Sequence, residues 1–583
     1  MNDAEPDCDL LVVGSGGAGL CAAVTAAHLG LRVIVIEKES VLGGTTAWSG
    51  GWMWIPRNPL AQAAGIREPL DEPRRYLRHI LGAQYNAERI EMFLAHGPEM
   101  VRFHQEHTAL SFIDGNAIPD MHGQAPGART GGRSVCAAPF DAAVLGPELK
   151  RLRPQRDILS FLGMSIGGDL RHFLRAGRAV DSAWYVARRI ARHGWEFLRH
   201  GQGTTRMAGN ALVAALLKSA LDRGVRVLTS HAAIGLMVEQ GRIVGVRVRT
   251  PTGERELRAA RGVVLAAGGF PHDAARREAF FAQPPGGLAH WSAAPAANTG
   301  DGLRLAEDAG ARIDGGLADP AAWAPVSLVP RADGSVAAFP HLAERGKPGL
   351  IAVDRDGARF ADEAGDYHSF MRGLFARCAE RHAGQPVEAW LVCDHRFQRR
   401  FGLGHSKPWP LPLGWHLRSG YLRRGRTLQE LAAACGIDAP GLIETVRAYN
   451  LHAREGLDPP YGRGGTPYDR MQGDAEHSGL NPCVAPMERG LFYAVRIVPG
   501  SLGTFAGLAT DVHGCVLDAH NQAMPGLYAA GNDMASIMGG HYPSGGITLG
   551  PGLTFGYILA HHAAGQALPV PQVHSSTPEL LAA

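Results

Sequence analysis

The sequence predicts an α/β fold with two or more domains, and three observations support this. Short apolar runs that end in glycine-rich turns occur near both ends of the chain, as expected for buried parallel strands. An alanine-rich segment follows the first of these turns, which is typical of a helix packed on such a sheet. The chain is 583 residues long, more than a single hydrophobic core usually accommodates.

The first strand, turn and helix define the type of α/β domain. An apolar run at residues 10–13 precedes the pattern G-x-G-x-x-G, and a second run at residues 33–36 ends beside the acidic residue Glu37. The glycines of the pattern are Gly14, Gly16 and Gly19. In a Rossmann-like unit the first glycine makes the turn, the second admits a pyrophosphate and the third packs helix on strand, while the acid binds a ribose hydroxyl. The spacing therefore predicts a dinucleotide-binding site.

Three further glycine-rich stretches indicate a dinucleotide larger than a nicotinamide one. They lie near residues 43, 268 and 531, and each ends or follows an apolar run. A nicotinamide dinucleotide would need only the first motif, whereas backbone brought close to a ligand in four places suits a longer molecule. We therefore predict FAD as the cofactor.

Composition excludes several other classes of protein. Hydrophobic residues make up 45% and charged residues 19% of the chain, which is typical of a globular protein, and a net charge of +3 is too small to indicate nucleic-acid binding. The eight cysteines show no C-x-x-C pair and no metal-ligand spacing, so we expect reduced thiols, no metal site and a cytosolic location. The sequence shows no apolar stretch long enough to span a bilayer, and its N-terminal apolar run is too short for a signal peptide.

The glycine-rich stretches also occur in a familiar order. Between about residues 9 and 565 the sequence resembles the FAD-dependent fumarate reductase and 3-ketosteroid dehydrogenase superfamily. The matching segments are 14–19, 37–38, 43–51, 266–270, 299–302, 357–363 and 526–532. The motifs and the resemblance together imply that FAD is bound by Gly14, Gly16, Gly17, Ala18, Gly19, Glu37, Lys38, Gly43, Gly44, Thr45, Thr46, Ser49, Gly50, Gly51, Ala267, Gly268, Asp301, Gly531, Asn532, Gly546 and Leu549.

The cofactor is expected to be bound non-covalently. Membrane-bound members of the dicarboxylate branch attach FAD through a histidine beside the loop that corresponds to residues 43–51. This sequence has Thr45 and Thr46 there and no histidine in the stretch.

Domain boundaries follow from the change in composition between residues 316 and 500 and from the return of the nucleotide-type pattern after it. We predict a discontinuous Rossmann-like FAD-binding domain made of residues 1–315 and 501–583, with an α+β substrate domain at 316–500 inserted between them. Residues 169–200 alternate arginine with aromatic residues and predict one or two basic amphipathic helices. Such helices either present a solvated face or contact a membrane surface from which a lipophilic substrate enters.

The substrate side favours a ketone over a dicarboxylate. A fumarate reductase needs arginine and histidine clamps, because paired carboxylates demand cationic partners. Here the sequence has no arginine or lysine from residue 539 to its end, and Tyr367 stands where the reductases tend to carry an arginine. Residues 540–550 and 359–367 are similar to elements of 3-ketosteroid dehydrogenases. The resemblance therefore implies desaturation of a ketone, with a 3-ketosteroid as the best substrate and an external electron acceptor that the sequence does not identify.

The same resemblance implies a role for each catalytic residue. The Tyr542 hydroxyl and the Gly546 N–H would polarise the carbonyl, and Tyr367 would take the α-proton. A free tyrosine has a pKa of about 10, so the base needs nearby donors or positive potential. His541 and Ser544, beside Tyr542, are candidate pocket residues, as is Met121. His541 is interpreted as a structural neighbour of Tyr542, with a proton shuttle as the alternative. Arg359 and Glu363 are expected to form an ion pair that braces the loop before Tyr367.

Two departures leave the bond that becomes unsaturated open. Met121 occupies the place where the Δ1-dehydrogenase branch carries a second tyrosine, and Ser544 gives a Tyr-x-Ser pattern similar to the Δ4-(5α)-dehydrogenase branch. Δ1-Dehydrogenation is the first prediction. The alternatives are Δ4-(5α)-dehydrogenation and desaturation of a smaller cyclic ketone around Met121, with a fumarate-reductase-like enzyme more remote. A flavin-binding protein without enzymatic activity is a further alternative.

Overall fold

The computed structural model describes residues 5–156, 160–161, 163–167, 169–177, 179–281 and 290–571. Residues 1–4 and 572–583 of the predicted FAD-binding segments, and residue 178 of the basic stretch, lie outside the described residues.

The strands alternate with helices at both ends of the described chain. The strands are β1 (Cys8–Val13), β2 (Val33–Glu37), β3 (Trp52–Trp54), β4 (Phe112–Asp114), β5 (Ser134–Ala137), β6 (Phe140–Asp141), β7 (Thr205–Arg206), β8 (Arg226–Thr229), β9 (Ala232–Glu239), β10 (Arg242–Thr250), β11 (Gly253–Leu265), β12 (Trp291–Ser292), β13 (Ile313–Asp314), β14 (Ala321–Pro330), β15 (Val336–Pro340), β16 (Leu350–Val353), β17 (Ala389–Asp394), β18 (Arg423–Gly425), β19 (Phe492–Thr504), β20 (Gly507–Leu508), β21 (Cys515–Leu517) and β22 (Ala523–Ala529). The helices are α1 (Gly17–His28), α2 (Pro59–Ala63), α3 (Asp71–Leu81), α4 (Ala87–His107), α5 (Leu170–Arg175), α6 (Val180–His200), α7 (Ala208–Asp222), α8 (Ala274–Phe280), α9 (Asp301–Asp308), α10 (Tyr367–Arg381), α11 (His395–Phe401), α12 (Gly414–Arg418), α13 (Leu428–Cys435), α14 (Ala439–Ala453), α15 (Pro467–Gln472) and α16 (Leu549–Ala563).

The first sheet is the predicted nucleotide-binding sheet. Its strand order is β21-β22-β11-β1-β2-β8, and β1, β2, β8, β11 and β22 pair in parallel. Strands β9 and β10 form a hairpin that extends the sheet, because β10 pairs antiparallel with both β9 and β11. The C-terminal strand β22 pairs in parallel with β11 of the first sheet. Strands β1 and β2 are largely buried, as the apolar runs at residues 10–13 and 33–36 predict.

Close packing around helix α1 requires glycine at two positions of the first domain. Helix α1 lies against α16, and a Cβ at Gly556 would lie 2.6 Å from the Ala18 carbonyl oxygen. A Cβ at Gly19 would lie 2.2 Å from the Gly14 carbonyl oxygen. Both positions therefore require glycine, and the tight packing holds the N-termini of α1 and α16 on the same side of the sheet.

The second sheet comes mostly from the predicted substrate domain. Its order is β15-β14-β19-β17-β16, with β12 and β18 also paired to β19. Helix α10 packs on β14, and the core of this layer contains Trp323, Phe370 and Leu391. Strand β12 lies before residue 315 in the chain, yet it pairs with β19 of the second sheet.

Helices α5 and α6 account for the basic stretch, and they pack against each other. In the described part of the chain, no helix is both long enough and apolar enough to cross a bilayer. All eight cysteines are free thiols, as expected from their scattered positions.

Candidate active site

A single cavity of about 1220 Å³ runs from the first sheet to the second. Residues of the dinucleotide motif line one part of it, and residues of the second sheet and its helices line the other. The predicted site residues that line it are Gly14, Gly16, Gly17, Ala18, Glu37, Lys38, Gly44, Thr45, Thr46, Ser49, Gly50, Gly51, Met121, Ala267, Gly268, Asp301, Tyr367, Gly531, Asn532, Tyr542, Gly546 and Leu549. The cavity therefore joins the predicted cofactor site to the predicted catalytic residues.

The turn between β1 and α1 leaves open space where a pyrophosphate would lie. A Cβ at Gly16 would meet only the Thr46 hydroxyl, at 3.7 Å, and a Cβ at Gly44 would meet nothing closer than 4.0 Å. No side chain caps the N-terminus of α1. The free N–H groups and partial positive charge of this helix terminus suit a diphosphate. The Gly17 N–H is already bound, because it donates to the Thr46 hydroxyl oxygen at 3.0 Å.

Charged groups at the ends of β2 and α9 border the same part of the cavity. The Glu37 carboxylate accepts hydrogen bonds from the Ser15 hydroxyl at 2.7 Å and the Ser15 N–H at 3.2 Å, which fixes its position at the strand end. Lys38 forms an ion pair with Asp301 and donates to the Thr299 hydroxyl at 2.9 Å. Burial opposes ionisation of Asp301, but the hydrogen bonds and positive charges of Lys38 and Arg304 together outweigh it and hold the pKa of this carboxyl below its usual value.

Asp533 supports the turn after β11, although the sequence motifs assign it no role. Its carboxylate accepts from the Ala267 N–H at 2.6 Å and the Gly269 N–H at 2.9 Å. Burial raises the pKa of Asp533 to about 6. The two hydrogen bonds shape the glycine-rich turn that lines the cavity beside Gly268.

Four of the predicted site residues do not line the cavity. Gly19 packs α1 on β1, as its role in the motif requires, and a Cβ at Gly43 would lie 2.9 Å from the side chains of Ala47 and Val213. These two glycines thus shape the site through packing. The pocket residues suggested beside Tyr542 also lie outside: Ser544 is fully buried, and His541 is half-buried with a pKa lowered by burial.

The catalytic tyrosines lie together at the other part of the cavity. Tyr367 is the first residue of α10, behind the cap Asp366, and Tyr542 lies in the loop before α16. Their ring centroids are 4.9 Å apart, so the two side chains are in contact. Burial raises the pKa of Tyr542 to about 12 and raises that of Tyr367 well above its usual value. Without ligand, Tyr367 is therefore protonated at neutral pH.

Gly546 presents an amide to the same space. Its φ is +99°, and a Cβ there would lie 2.6 Å from the Trp52 carbonyl oxygen, so only glycine fits. Its carbonyl accepts from the Gly550 N–H at 2.8 Å at the start of α16. Its own N–H donates to no acceptor within the described chain, and the residue lines the cavity. The amide is thus available to a ligand.

The loop that carries Met121 is held firmly against this site. The Asp120 carboxylate accepts from the Trp54 indole at 2.8 Å and from Arg133 at 2.5 Å. On the other side of Met121, the His122 ring lies 3.2 Å from the Tyr542 carbonyl oxygen. Met121 is buried and lines the cavity without a polar group of its own.

A third tyrosine, which the sequence motifs did not indicate, also lines the cavity. Tyr468 lies on the short helix α15, and its hydroxyl accepts a hydrogen bond from the Gln472 amide at 2.8 Å. Tyr468 is close enough to raise the pKa of Tyr367. No local pattern marks it, because it reaches the site only through the packing of α15 beside residues 344–346.

The segment before Tyr367 is braced as expected. Arg359 makes a two-point ion pair with Glu363, at 2.8 and 2.6 Å, and a second with Asp458, at 2.6 and 2.8 Å. The Arg463 guanidinium adds a contact to Glu363 at 3.2 Å. These groups are buried, so the network ties the start of α10 to the segment before α15.

Comparison with known proteins agrees with this geometry. A model of the FAD binding domain family matches residues 9–549. The chain is 39% identical over 563 residues to a 4-oxocyclohex-2-ene-1-carboxylate 5-dehydrogenase from Sinomonas cyclohexanicum, covering 96% of this chain and 94% of the relative. It is 37% identical over 573 residues to a 3-oxosteroid 1-dehydrogenase from Mycolicibacterium smegmatis, covering 96% and 97%.

A solved structure is similar over the whole fold. It is a 3-ketosteroid delta1-dehydrogenase from Sterolibacterium denitrificans in complex with 1,4-androstadiene-3,17-dione, with a TM-score of 0.88, 35% identity and coverage of 96% of this chain and 99% of that chain. The predicted cofactor is therefore confirmed, and the chain belongs to the FAD binding domain family, among the flavoprotein dehydrogenases related to 3-oxosteroid 1-dehydrogenase.

Proposed function

We propose that this protein desaturates a ring ketone between its α and β carbons, in an FAD-dependent reaction. The observation that carries the proposal is the arrangement of Tyr367, Tyr542 and the unpartnered Gly546 N–H in one cavity with the dinucleotide motif. The Tyr542 hydroxyl and the Gly546 N–H are two hydrogen-bond donors that can bind a carbonyl oxygen. Tyr367 can accept the acidic proton on the carbon next to that carbonyl. The absence of arginine and lysine after residue 538 disfavours a dicarboxylate bound by this loop.

The residues divide the reaction between them. Tyr542 and the Gly546 N–H donate to the ketone oxygen, where negative charge develops as the α-proton leaves. The oxygen of Tyr367, once deprotonated, takes that proton, and the electron pair of the broken C–H bond forms the enolate. FAD held by the dinucleotide motif would supply the acceptor for the β-hydrogen and its electron pair, and the loss of both hydrogens leaves a C=C bond in the substrate. The N-terminus of α16, just after Gly546, favours the developing negative charge.

A 3-ketosteroid is the first substrate we propose, with Δ1-dehydrogenation as the reaction. The 3-oxosteroid 1-dehydrogenase relative and the solved structure of a 3-ketosteroid delta1-dehydrogenase support this proposal. Ser544, the residue that suggested Δ4-(5α)-dehydrogenation, is buried and does not line the cavity. Its pattern therefore gives little support to that alternative.

A smaller cyclic ketone is the second candidate. The relative from Sinomonas cyclohexanicum, named for a 4-oxocyclohex-2-ene-1-carboxylate substrate, favours it. Met121 lines the cavity at the place where the Δ1-dehydrogenase branch carries a second tyrosine.

The experiment is anaerobic mixing of the purified flavoprotein with each ketone while flavin absorbance is followed. The substrates are androst-4-ene-3,17-dione, 5α-androstane-3,17-dione, cyclohexanone and succinate. We expect bleaching by androst-4-ene-3,17-dione. Bleaching by 5α-androstane-3,17-dione alone would favour Δ4-(5α)-dehydrogenation, and bleaching by cyclohexanone alone would favour the smaller ketone. Bleaching by succinate alone, or by none of the four, would contradict ketone desaturation.

We further propose that helix α6 binds a membrane surface. Its most exposed apolar side chains recur at helical spacing: Val180, Trp184, Trp195 and Leu198 are 88, 73, 64 and 84% exposed. Spacings of four, eleven and three residues place them on one face of the helix. The opposite face carries Ser182 and Glu196, which are buried against the protein. An apolar stripe directed to solvent is typical of interfacial helices.

The charges on the helix favour an anionic lipid surface over a protein partner. Arg188, Arg192 and Arg199 flank the apolar stripe and are exposed. Tryptophan beside arginine suits the headgroup region of a bilayer. Attachment there would bring a lipophilic ketone close to the protein.

Vesicle flotation tests this attachment. We expect the protein to float with vesicles that contain phosphatidylglycerol and to remain below after Trp184→Ser, Trp195→Ser and Leu198→Ser are combined. Leu480→Ser is the matched control, because Leu480 is also 84% exposed but lies elsewhere. Flotation of the triple variant, or failure of the unchanged protein to float, would contradict the proposal.

A further inference from the structure

Two lysines line the cavity beyond the tyrosines, and neither has an ion-pair partner. Lys347 and Lys407 are half-buried cavity residues. Among the described residues, no carboxylate lies within 4.0 Å of either ammonium group, the distance that defines the ion pairs found elsewhere in the chain. Ammonium groups held away from bulk water without a counter-charge are unfavourable, so this arrangement indicates an anionic ligand.

Lys347 is connected to the tyrosine cluster through helix α15. Its ammonium donates to the Gly473 carbonyl oxygen at 2.6 Å, at the end of that helix. Tyr468 lies near the other end, and the Gln472 amide donates to its hydroxyl. Lys347 and Tyr468 therefore both contact residues at the C-terminal end of this short helix. Both also line the cavity, so a ring ketone held at the tyrosines shares that cavity with Lys347.

Lys407 reaches the same part of the cavity from the segment after α11. Its ammonium lies 5.9 Å from the centroid of the Phe339 ring, and Phe339 is itself a wall of the cavity. Both lysines feel the charge of one carboxylate, Glu344, which also lines the cavity. The two lysines therefore line the same cavity as Glu344.

The nearby carboxylates already have other partners. Glu344 lies 2.6 Å from the Nδ1 atom of His341, and His341 holds the pKa of Glu344 below its usual value despite burial. Asp474, the other acid near Lys347, forms an ion pair with Arg400. The part of the cavity lined by Lys347, Lys407 and Glu344 holds two ammonium groups and one carboxylate, so its net charge is positive.

We propose that Lys347 and Lys407 bind a carboxylate carried by the ketone substrate, at the end of the molecule remote from the reacting carbonyl. This inference rests on the proposed ketone desaturation and adds a substrate class to it, the keto acids. A carboxylate between two ammonium groups gains charge-assisted hydrogen bonds, and each such bond to a charged group changes affinity by about tenfold or more.

The carboxylate can be attached either to a small ring or to a steroid. Two pairs of substrates distinguish these two possibilities. The first pair is 4-oxocyclohexanecarboxylate and its methyl ester. The second is 3-oxoandrost-4-ene-17β-carboxylate and its methyl ester. For each pair we measure kcat/KM for flavin reduction and take the ratio of acid to ester. We expect a ratio of at least about ten for one pair in the unchanged protein, and that pair identifies the source.

Charge-removing and charge-keeping variants complete the test. Lys347→Met and Lys407→Met should each lower the acid-to-ester ratio by about tenfold, whereas Lys347→Arg should keep most of it. Lys218→Met is the control, because Lys218 is paired with Asp222 on the surface. Flavin content measured for every variant shows whether it has folded.

The outcomes separate the inference from the function on which it rests. Ratios near one in the unchanged protein, or ratios unaffected in both methionine variants, would overturn the carboxylate site. Turnover of the esters in that case leaves ketone desaturation standing. If neither acids, esters nor androst-4-ene-3,17-dione reduce the flavin, the proposed function itself fails.

Discussion

The rings of Tyr367 and Tyr542 meet edge to face, with centroids 4.9 Å apart and planes inclined by 71°. Tyr367 begins helix α10 beside the second sheet, whereas Tyr542 lies between strand β22 of the first sheet and helix α16. The reacting groups are therefore assembled across the boundary between the two sheets. Four predictions follow from this arrangement and from the contacts around it.

Replacement of Tyr367 by phenylalanine should abolish most turnover while FAD remains bound. The substitution removes only the hydroxyl that would take the α-proton, and a general base typically contributes a factor of about 10² to 10⁴ in rate. The rate of anaerobic flavin reduction by androst-4-ene-3,17-dione measures the loss. Tyr528→Phe is the control, because Tyr528 lies outside the cavity beside His562. Activity of Tyr367→Phe close to that of the unchanged protein would remove Tyr367 from the mechanism.

The rate should rise with pH. Burial raises the pKa of Tyr367 well above its usual value of 10, so the deprotonated fraction at neutral pH is small. Below that pKa the fraction increases about tenfold for each pH unit, and kcat/KM follows it because this parameter reports ionisation of the free enzyme. A profile of kcat/KM between pH 7 and 9 should therefore have a logarithmic slope near one. A flat profile would show that no group of raised pKa must lose a proton.

Gly16→Val should yield a folded protein that does not retain FAD. The backbone at Gly16 is extended, with φ −69°, and a Cβ would meet the protein only at 3.7 Å, so the side chain would enter the cavity without straining the fold. Flavin absorbance per mole of protein after gel filtration measures retention. Gly316→Val, at a position where a Cβ meets nothing within 4 Å, should retain the cofactor. A fully flavinylated Gly16→Val protein would contradict the placement of the pyrophosphate.

Arg359→Met should destabilise the protein strongly. It leaves the buried carboxylates of Glu363 and Asp458 without their main cation, and breaking a buried pair in this way costs about 3–5 kcal/mol. The free energy of unfolding in urea measures the effect. Arg447→Met, which breaks an exposed pair with Glu444, should leave that free energy nearly unchanged. Equal stability of the two variants would contradict a bracing role for Arg359.

Much of the cofactor site could be predicted from the sequence because its parts are contiguous. A strand, a glycine turn and a helix start are formed by neighbouring residues, so Gly14, Gly16 and Glu37 can be placed from their spacing alone. The return of β22 to the first sheet was also predictable, since its apolar run ends in a similar turn. Gly43 shows the limit of this reasoning, because a glycine needed for packing has the same sequence signature as one that admits a ligand.

The sequence by itself determined the α/β fold class, the FAD motifs and the two tyrosines that resemble known catalytic ones. The tertiary structure decided which side chains share the cavity: it brought in Tyr468, Lys347 and Lys407, and it left out Ser544. It also decided that the apolar stripe of α6 is exposed. The physical reason is that backbone motifs depend on neighbours in the chain, whereas a binding site depends on side chains that only long-range packing brings together.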